Sequence, residues 1–284
     1  MFQYSYEESV QWFRVQPEHT ELVKFSYLDE DNLAAAQRFS ESEEFQATIE
    51  LLDIENKGQV LKILDLGCGN GIASYAFASL GHEITAIDPD PSFDVGLGAT
   101  NRLASEVEIG KITTQQAGAE SLPFADATFD IVYARQALHH FSDLTKGLQE
   151  AARVLKTGGF FLATREHVVS NMQQRKDFLS NHVLHRLHGQ ENAYLVEDYL
   201  GALQISGLKI SRIFGHFDTV INHYPTTNAE IKDWLYSGFS KYLGKSLASI
   251  LSQISFLEIA YRRRLSGSCD FPGRLYSFLC TKPQ

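Results

Sequence analysis

The feature that most constrains this fold is an apolar run that leads directly into a glycine-rich turn. A buried strand is predicted for residues 60–64, and the following turn reads Asp65-Leu66-Gly67-Cys68-Gly69-Asn70-Gly71. A helical pattern continues over residues 73–80. Glycine lacks a Cβ and readily adopts φ > 0, so the backbone of such a turn approaches a ligand closely. Because the free N–H groups of the helix face the same place, the segment predicts a ligand site.

Strand and helix patterns alternate after this turn. Further strands are predicted at residues 84–87, 112–115, 129–134 and 160–164. Ser142 is predicted to cap a helix with one apolar face, which ends at residues 156–159. Strands separated by helices of this length predict parallel βαβ units in a doubly wound α/β sheet, which binds ligands beyond the carboxyl ends of its strands.

The remaining segments are predicted to be mostly helical. Residues 1–57 are predicted to form a helical N-terminal extension. Apolar and aromatic residues are interleaved there with Glu and Gln, and the strict alternation typical of a strand is absent. Residues 58–284 form one α/β domain with helical insertions at about 166–206 and 224–270. Within these bounds, a long strand is predicted at 208–221 and a last strand at 275–281. We expect the extension and the insertions to form a cap.

Composition and charge limit the functional classes. The 284 residues carry a formal net charge of −10, which argues against nucleic acid as a partner. The one basic cluster, residues 262–264, is interpreted as the solvated end of a helix. No apolar run approaches the roughly 20 residues that cross a bilayer, and no signal peptide is recognised. We therefore predict a cytoplasmic protein without stable membrane association, as a monomer or a homodimer.

A second residue, Asp88, indicates which class of ligand the turn binds. It ends the next predicted strand, about 20 residues after the turn, where a carboxylate can accept both hydroxyls of a ribose. This arrangement fits an adenosyl ligand or NAD. Dinucleotide sites carry G-x-G-x-x-G, whereas Ile72 occupies the sixth position counted from Gly67 here. The pattern is G-x-G-x-G, which disfavours a dinucleotide.

Four further segments carry a family resemblance. They read Gly118-Ala119-Glu120-Ser121-Leu122-Pro123-Phe124, Ala127-Thr128-Phe129-Asp130-Ile131-Val132, Gln136-Ala137-Leu138-His139-His140-Phe141 and Glu150-Ala151-Ala152-Arg153-Val154-Leu155-Lys156-Thr157-Gly158-Gly159. With the turn, they resemble class I S-adenosylmethionine (SAM)-dependent methyltransferases of type 11, in the branch of the ubiquinone and menaquinone biosynthesis enzymes. The resemblance covers about residues 60–165. It implies a Rossmann-like sheet of seven strands, mostly parallel with the last antiparallel.

The resemblance also implies SAM as cofactor, S-adenosylhomocysteine as its product, and a set of residues that bind them. Asp65 and the glycines would surround the methionine part, Asp88 the ribose and the N–H of Ala119 the adenine. Family members often carry a carboxylate where this chain has Gly118, and Glu120 is the candidate substitute. The implied donor-binding residues are Asp65, Gly67, Cys68, Gly69, Gly71, Asp88, Pro89, Ala119, Glu120, Ala134 and Arg135.

Candidate catalytic residues follow from the chemistry of methyl transfer. The reaction is an in-line displacement at a sulfonium, so positioning supplies much of the rate, and a base is needed only for an acceptor of high pKa. Candidates near the carboxyl ends of strands four and five, or in the inserts, are Tyr133, Arg135, Glu166, His167, His182 and His185. The predicted catalytic set is Arg135, His139, His167 and Glu166, with Arg135 first.

Each candidate also has a structural interpretation. Arg135 could pair with Glu166 inside the protein, and the pair His139-His140 could support the donor pocket without moving a proton. Tyr194 could line the acceptor pocket or anchor the insert. The histidines at 182, 185 and 188 are three residues apart and drift around a helix, so a packed or solvated helix is favoured over a metal site and no metal is expected.

The sequence thus predicts an enzyme that methylates O, N or C of a small-molecule acceptor. Three alternatives remain open. One is a cyclopropane-forming lipid enzyme that shares the donor motifs, and another is a catalytically silent SAM-binding regulator, to which Gly118 lends slight support. The third is an NAD-dependent dehydrogenase, which Ile72 and the lack of a second nucleotide-binding half disfavour.

Overall fold

A computed structural model describes residues 4–284. Its strands form one mixed sheet of eight strands. Their bounds are β1 Lys62–Leu66, β2 Glu83–Asp88, β3 Lys111–Gln116, β4 Phe129–Arg135, β5 Leu155–Val169, β6 Tyr194–Leu195, β7 Lys209–Phe214 and β8 Arg274–Thr281.

The strand order confirms the predicted doubly wound sheet. It runs β3-β2-β1-β4-β5-β8-β7, with β1 to β5 parallel and β8 antiparallel to both β5 and β7. The two-residue strand β6 is an addition, since it pairs only with the end of β5 at Val168 and Val169. The chain reverses its winding between β1 and β4, and the carboxyl ends of these strands therefore border the crevice where such folds bind ligands.

Helices cover both faces of the sheet and extend beyond it. They are α1 Tyr6–Arg14, α2 Thr20–Phe25, α3 Asn32–Ser40, α4 Glu43–Leu51, α5 Ile72–Ser79, α6 Leu97–Ala104, α7 Leu144–Val154, α8 Met172–Asn181, α9 Val183–His188, α10 Val196–Ile205, α11 Val220–His223, α12 Asn228–Leu243, α13 Lys245–Leu251 and α14 Ser255–Ser268. Short 3₁₀ turns occupy Pro17–His19 and Leu138–His140.

The N-terminal helices share a hydrophobic core with the sheet. Phe39 and Phe45 from α3 and α4 pack in sequence against Phe77 of α5 and Tyr133 of β4, with ring centroids 5.1 to 5.4 Å apart at each step. All four side chains are buried. This face of the sheet is therefore covered partly by the extension, and the extension contributes to the stability of the whole domain.

The second half of the chain departs from the predicted boundaries. Strand β5 continues past Thr164 to Val169, so residues 166–169 belong to the sheet and not to the insertion. The long strand predicted at 208–221 ends at Phe214. There the side chain of Asn222 donates to the carbonyls of Phe214 and Gly215, and Thr219 caps the short helix α11. These side-chain bonds replace the sheet bonds that a longer strand would need.

Two local predictions were wrong. Asp143, not Ser142, caps α7 by accepting from the N–H of Lys146, because the Ser142 hydroxyl donates to Glu120 instead. Arg262 is buried and not solvated, since it pairs with Glu258 and contacts His223 and Asn228. A charge run in the sequence therefore hid a structural arginine that ties α14 to α11 and α12.

The shared core leads to a stability prediction. Phe45→Ala is expected to lower the free energy of unfolding by about 3–5 kcal/mol, because it removes a buried aromatic ring and leaves a cavity. Urea unfolding followed by circular dichroism measures the change. Phe256→Ala is the matched control, since Phe256 is 71% exposed, and its effect should stay within about 0.5 kcal/mol. Equal effects for the two variants would contradict a core role for the extension.

Candidate active site

A single large cavity of about 1210 Å³ lies at the carboxyl ends of β1, β2 and β4. The glycine-rich turn, the end of β2 and the loop after β4 form one side, and residues from α1 and α9 lie across it. All the predicted donor-binding residues line this cavity except Gly71 and Ala134. Of the predicted catalytic residues, Arg135, His139 and His167 line it and Glu166 does not.

Backbone bonds hold the glycine-rich turn against β2. The N–H groups of Gly67 and Cys68 both donate to the carbonyl of Ile87 at 2.9 Å. Gly67 has φ 76°, and a Cβ there would lie 2.7 Å from the Cβ of Ala137. The extension adds a clamp, because the Asn32 amide donates to the carbonyl of Asn70 at 2.8 Å. Position 67 therefore requires glycine for two reasons: its backbone has a positive φ, and the loop after β4 leaves no space for a side chain there.

Gly71 has a different role from the one that the resemblance implied. It adopts φ 81° as the residue before α5, and a Cβ there would lie 2.6 to 2.9 Å from Thr100 atoms of α6. Gly71 thus packs α5 against α6 and does not line the cavity. Ala134 likewise lies buried within β4, outside the cavity wall.

Two carboxylates, Asp65 and Asp88, face the cavity from adjacent strand ends. The Asp88 oxygens accept from the N–H groups of Gly69 at 2.8 Å and Asp90 at 2.9 Å, which fixes the carboxylate across the turn. Burial raises the pKa of Asp88. Burial also raises the pKa of Asp65 to about 6, although the Ser74 hydroxyl donates to it at 2.6 Å. At neutral pH this pair makes the wall acidic and suited to cationic and hydroxyl groups.

Glu120 occupies the space that a side chain at position 118 would use. A Cβ at Gly118 would lie 3.3 Å from Oε2 of Glu120. The other oxygen, Oε1, is held by the N–H and hydroxyl of Ser142 at 2.7 and 2.8 Å and by the N–H of Asp143 at 3.2 Å. The Glu120 carboxylate thus lies next to position 118, and its role as the substitute carboxylate stays a prediction.

Arg135 is engaged by the N-terminal extension. Its Nε and Nη2 donate to the two carboxylate oxygens of Glu44 at 2.7 and 3.2 Å, and Glu44 is fully buried. Arg165 approaches the same carboxylate at 3.6 Å. The sequence considered Glu166 as a partner of Arg135, and that pairing does not form. The guanidinium is thus committed to a structural ion pair, which weakens its candidacy as the leading catalytic group.

Glu166 organises the loop that follows β4. It is fully buried, accepts from the N–H groups of Ala137, Leu138 and His139 at 3.1 to 3.2 Å, and lies 2.8 Å from Nδ1 of His139. Burial raises the pKa of Glu166 to about 7, against the effect of these backbone bonds. Since it does not reach the cavity, Glu166 is a positioning residue for His139.

Several histidines lie together on the cavity wall. The rings of His139 and His167 lie edge to face at 4.8 Å, and burial lowers the pKa of both, that of His167 to about 3. Both imidazoles are therefore neutral at neutral pH. His182 also lines the cavity, whereas the side chains of Tyr133 and Tyr194 bond to Thr164 and to the Phe141 carbonyl outside it.

Sequence reasoning missed Glu191, which lies among these histidines. Its carboxylate is 3.8 Å from Nε2 of both His139 and His140 and 3.4 Å from Nε2 of His188. Glu191 follows α9 in a loop without regular spacing to the other residues. Only the fold brings the insertion back onto the β4 loop, so no local sequence signal could have identified it.

Helices from the N-terminal extension and from the insertion after β5 line the cavity. Tyr6 of α1 packs edge to face on His188 of α9 at 5.2 Å. Glu7 accepts from the N–H of Asp94 at 2.6 Å, and Arg14 forms an ion pair with the Asp94 side chain. The extension is thus fastened to the segment after β2, on the side where Asp88 lies.

Comparison with known proteins agrees with this geometry. A family model described as a methyltransferase domain matches residues 64–163. The uncharacterized methyltransferase YcgJ of Bacillus subtilis is 40% identical over 36% of this chain and 39% of its own length. A ubiquinone biosynthesis O-methyltransferase of Rhizobium leguminosarum is 28% identical over 55% of this chain and 62% of its length. Residues 64–163 thus match a methyltransferase domain.

A solved structure supports the same fold across most of the chain. A geranyl diphosphate methyltransferase in complex with SAM superposes with a TM-score of 0.56 at 16% identity, covering 89% of this chain and 91% of that one. The matched family region holds the turn, Asp88, Glu120 and the β4 loop. The chain covers only 39% and 62% of the lengths of these two curated relatives. Among residues 4–284, no helix is long and apolar enough to cross a membrane.

The buried pair of Glu44 with Arg135 gives a second stability prediction. Glu44→Ala is expected to lower the unfolding free energy of the methyltransferase domain by about 3–5 kcal/mol, because it leaves a buried guanidinium without its partner. Chemical unfolding measures the loss. Glu50→Ala, on the exposed face of the same helix, is the control and should change stability by less than about 0.5 kcal/mol. An unchanged midpoint for Glu44→Ala would show that Arg135 is satisfied without the extension.

Proposed function

We propose that this protein transfers a methyl group from SAM to a small-molecule acceptor. The observation that carries the proposal is the position of Asp65, Gly67, Gly69 and Asp88 on one wall of the cavity. Asp65 would bind the ammonium of the methionine part, since a buried carboxylate favours a cationic partner. Asp88 would accept the ribose hydroxyls, because its backbone bonds orient the carboxylate and each oxygen retains a further acceptor site.

The size of the cavity supports a two-substrate reaction. Pockets for a single ligand commonly have volumes of about 300–1000 Å³, and this cavity reaches about 1210 Å³. Room therefore remains beside a bound donor. The acceptor would lie toward His139 and His167, where its nucleophilic atom attacks the methyl carbon. The C–S bond breaks as the new bond forms, and the sulfur leaves as a neutral thioether.

On the proposed acceptor side, the basic groups that could act on an acceptor carry no net positive charge. His139 and His167 are neutral, and Arg135 is neutralised by Glu44. The wall thus offers imidazole nitrogens, the Glu191 carboxylate and apolar surface from Phe13, Leu22 and Leu28 of the extension. Such a wall suits an uncharged or weakly acidic acceptor that carries an oxygen, nitrogen or carbon nucleophile. In-line alignment against the donor would supply much of the rate.

Donor calorimetry tests this function directly. SAM and S-adenosylhomocysteine are expected to bind the intact chain, and NAD to bind more weakly. Asp88→Ala should weaken adenosyl binding by a hundredfold or more, since two hydrogen bonds to a charged group contribute about 1.5–3 kcal/mol each. Asp126→Ala, which changes an exposed aspartate outside the cavity, is the control. Tighter binding of NAD, or no binding of either adenosyl ligand, would overturn the proposal.

The position of Glu120 gives a separate prediction about adenine. We expect the free oxygen Oε2 to accept from the exocyclic amino group, so wild-type protein should prefer S-adenosylhomocysteine to its inosine analogue. Glu120→Ala should reduce this preference about tenfold, which corresponds to one charge-assisted hydrogen bond. Ser142→Ala removes only a hydroxyl that holds the same carboxylate and should keep most of the preference. Isothermal titration with both ligands measures the ratio, and equal ratios in wild type and Glu120→Ala would reject this contact.

A further inference from the structure

We propose that His139, His167 and Glu191 bind one divalent transition-metal ion in the cavity. One potential ligand atom from each residue lies within 4.8 Å of those from the other two. The residues come from the 3₁₀ turn after β4, from β5 and from the loop after α9. All three line the same cavity as the donor-binding residues. The sequence argument about a metal site concerned only the histidines at 182, 185 and 188. Their spacing could not reveal this group, because its members come from three separate segments.

The hydrogen bonds of the two histidines leave the correct nitrogen free. Nδ1 of His139 lies 2.8 Å from Glu166, whose oxygens already accept three backbone N–H groups. Nδ1 of His167 lies 3.0 Å from the carbonyl of Gly273, which can only accept. Each Nδ1 therefore carries the proton and each Nε2 presents a lone pair. Metal-bound histidines commonly donate their other N–H to a carboxylate or a backbone carbonyl in this way.

Glu191 completes the group as a buried carboxylate surrounded by imidazole rings. Its distances to the His139 and His140 rings, 3.8 Å each, exceed those of hydrogen bonds. Neither ring nitrogen of His188 has a hydrogen-bond partner among residues 4–284, although its Nε2 faces Glu191 at 3.4 Å. Buried carboxylates are normally paired or bound to a metal. A cation between Glu191 and the two Nε2 atoms would contact all three ligand atoms at once.

The ligand types identify the class of metal. Two imidazoles and one carboxylate suit Zn²⁺, Fe²⁺ or a similar transition metal, whereas Mg²⁺ and Ca²⁺ prefer oxygen ligands throughout. Zinc–ligand bonds of about 2.0–2.2 Å place ligand atoms roughly 3.4 Å apart, so binding would draw the widest pair about 1.4 Å closer. Three protein ligands leave at least one coordination position open, as in catalytic sites.

The open position suggests a role that rests on the proposed methyl transfer. An acceptor hydroxyl or enol oxygen bound there would lose its proton more readily, because the metal stabilises the resulting anion. The acceptor class would then be an oxygen nucleophile, held by the ion on the histidine side of the cavity. Metal binding itself does not depend on this role.

Metal titration of the intact chain tests the site. Protein stripped with a chelator should bind one Zn²⁺ per chain by calorimetry, and Co²⁺ should give the absorption bands of a nitrogen- and oxygen-bound ion. His167→Ala and Glu191→Gln should each weaken Zn²⁺ binding by a hundredfold or more. Glu166→Gln should weaken it by about 10- to 100-fold, because it disturbs the support of His139. His19→Ala, a histidine outside the cavity, is the matched control and should bind like wild type.

The outcomes separate this proposal from the proposed function. Circular dichroism and binding of S-adenosylhomocysteine report folding, and both should persist in His167→Ala and Glu191→Gln. Normal Zn²⁺ binding by these folded variants, or no stoichiometric binding by wild type, would overturn the metal site. If wild type binds S-adenosylhomocysteine but no metal, the metal proposal alone fails. If it binds metal but no adenosyl ligand, the methyl-transfer proposal fails while the site stands.

Discussion

The buried carboxylate of Glu44 is the contact on which the site depends. It lies in the N-terminal extension, yet it neutralises Arg135 at the end of β4 and approaches Arg165 in β5. Buried charges are stable only when they are paired and hydrogen-bonded, so these strand ends are complete only with the extension docked. Gln136 and Arg165 also adopt positive φ, 51° and 60°, an arrangement that the surrounding contacts must hold. The extension is thus part of the construction of the site.

The loop after β4 is held by a series of contacts that begins at this ion pair. Arg135 fixes the beginning of the loop, and Glu166 holds the next three residues by their N–H groups. Ala137 then packs close to Gly67, while the His139 ring lies beside Glu191. One short loop therefore joins the proposed donor side to the histidine side. A substitution that removes the Glu166 carboxylate is expected to affect both sides, because the same backbone bonds hold Ala137 beside the turn and His139 beside Glu191.

Local patterns predicted the parts of the protein that are built locally. The strand, turn and helix around Gly67 and the candidate carboxylate at Asp88 follow from composition and spacing within about 30 residues. The sheet order confirms the predicted parallel strands. Glu44 could not be found in this way, since 91 residues separate it from Arg135. Glu191 is similar, because its surroundings come from three distant segments. Likewise, Arg262 gained its partners only when α14 packed against α11, so its charge run was misinterpreted as a solvated surface.

Most of the residues that the sequence predicted belong to the proposed donor side of the cavity, whereas Glu191, which it missed, lies elsewhere on the wall. The matched family region, residues 64–163, holds the turn, Asp88 and Glu120, and it ends before His167 and Glu191. Tyr6, His167 and Glu191 belong to the extension, the prolonged end of β5 and the insertion, all outside that region. The extension bonds directly to the turn through Asn32, whereas the end of β5 and the insertion contribute other residues to the cavity. Chains that share the proposed donor wall can therefore differ in the rest of the cavity, and in this chain we propose that the acceptor lies against a group of histidines around the buried Glu191 carboxylate.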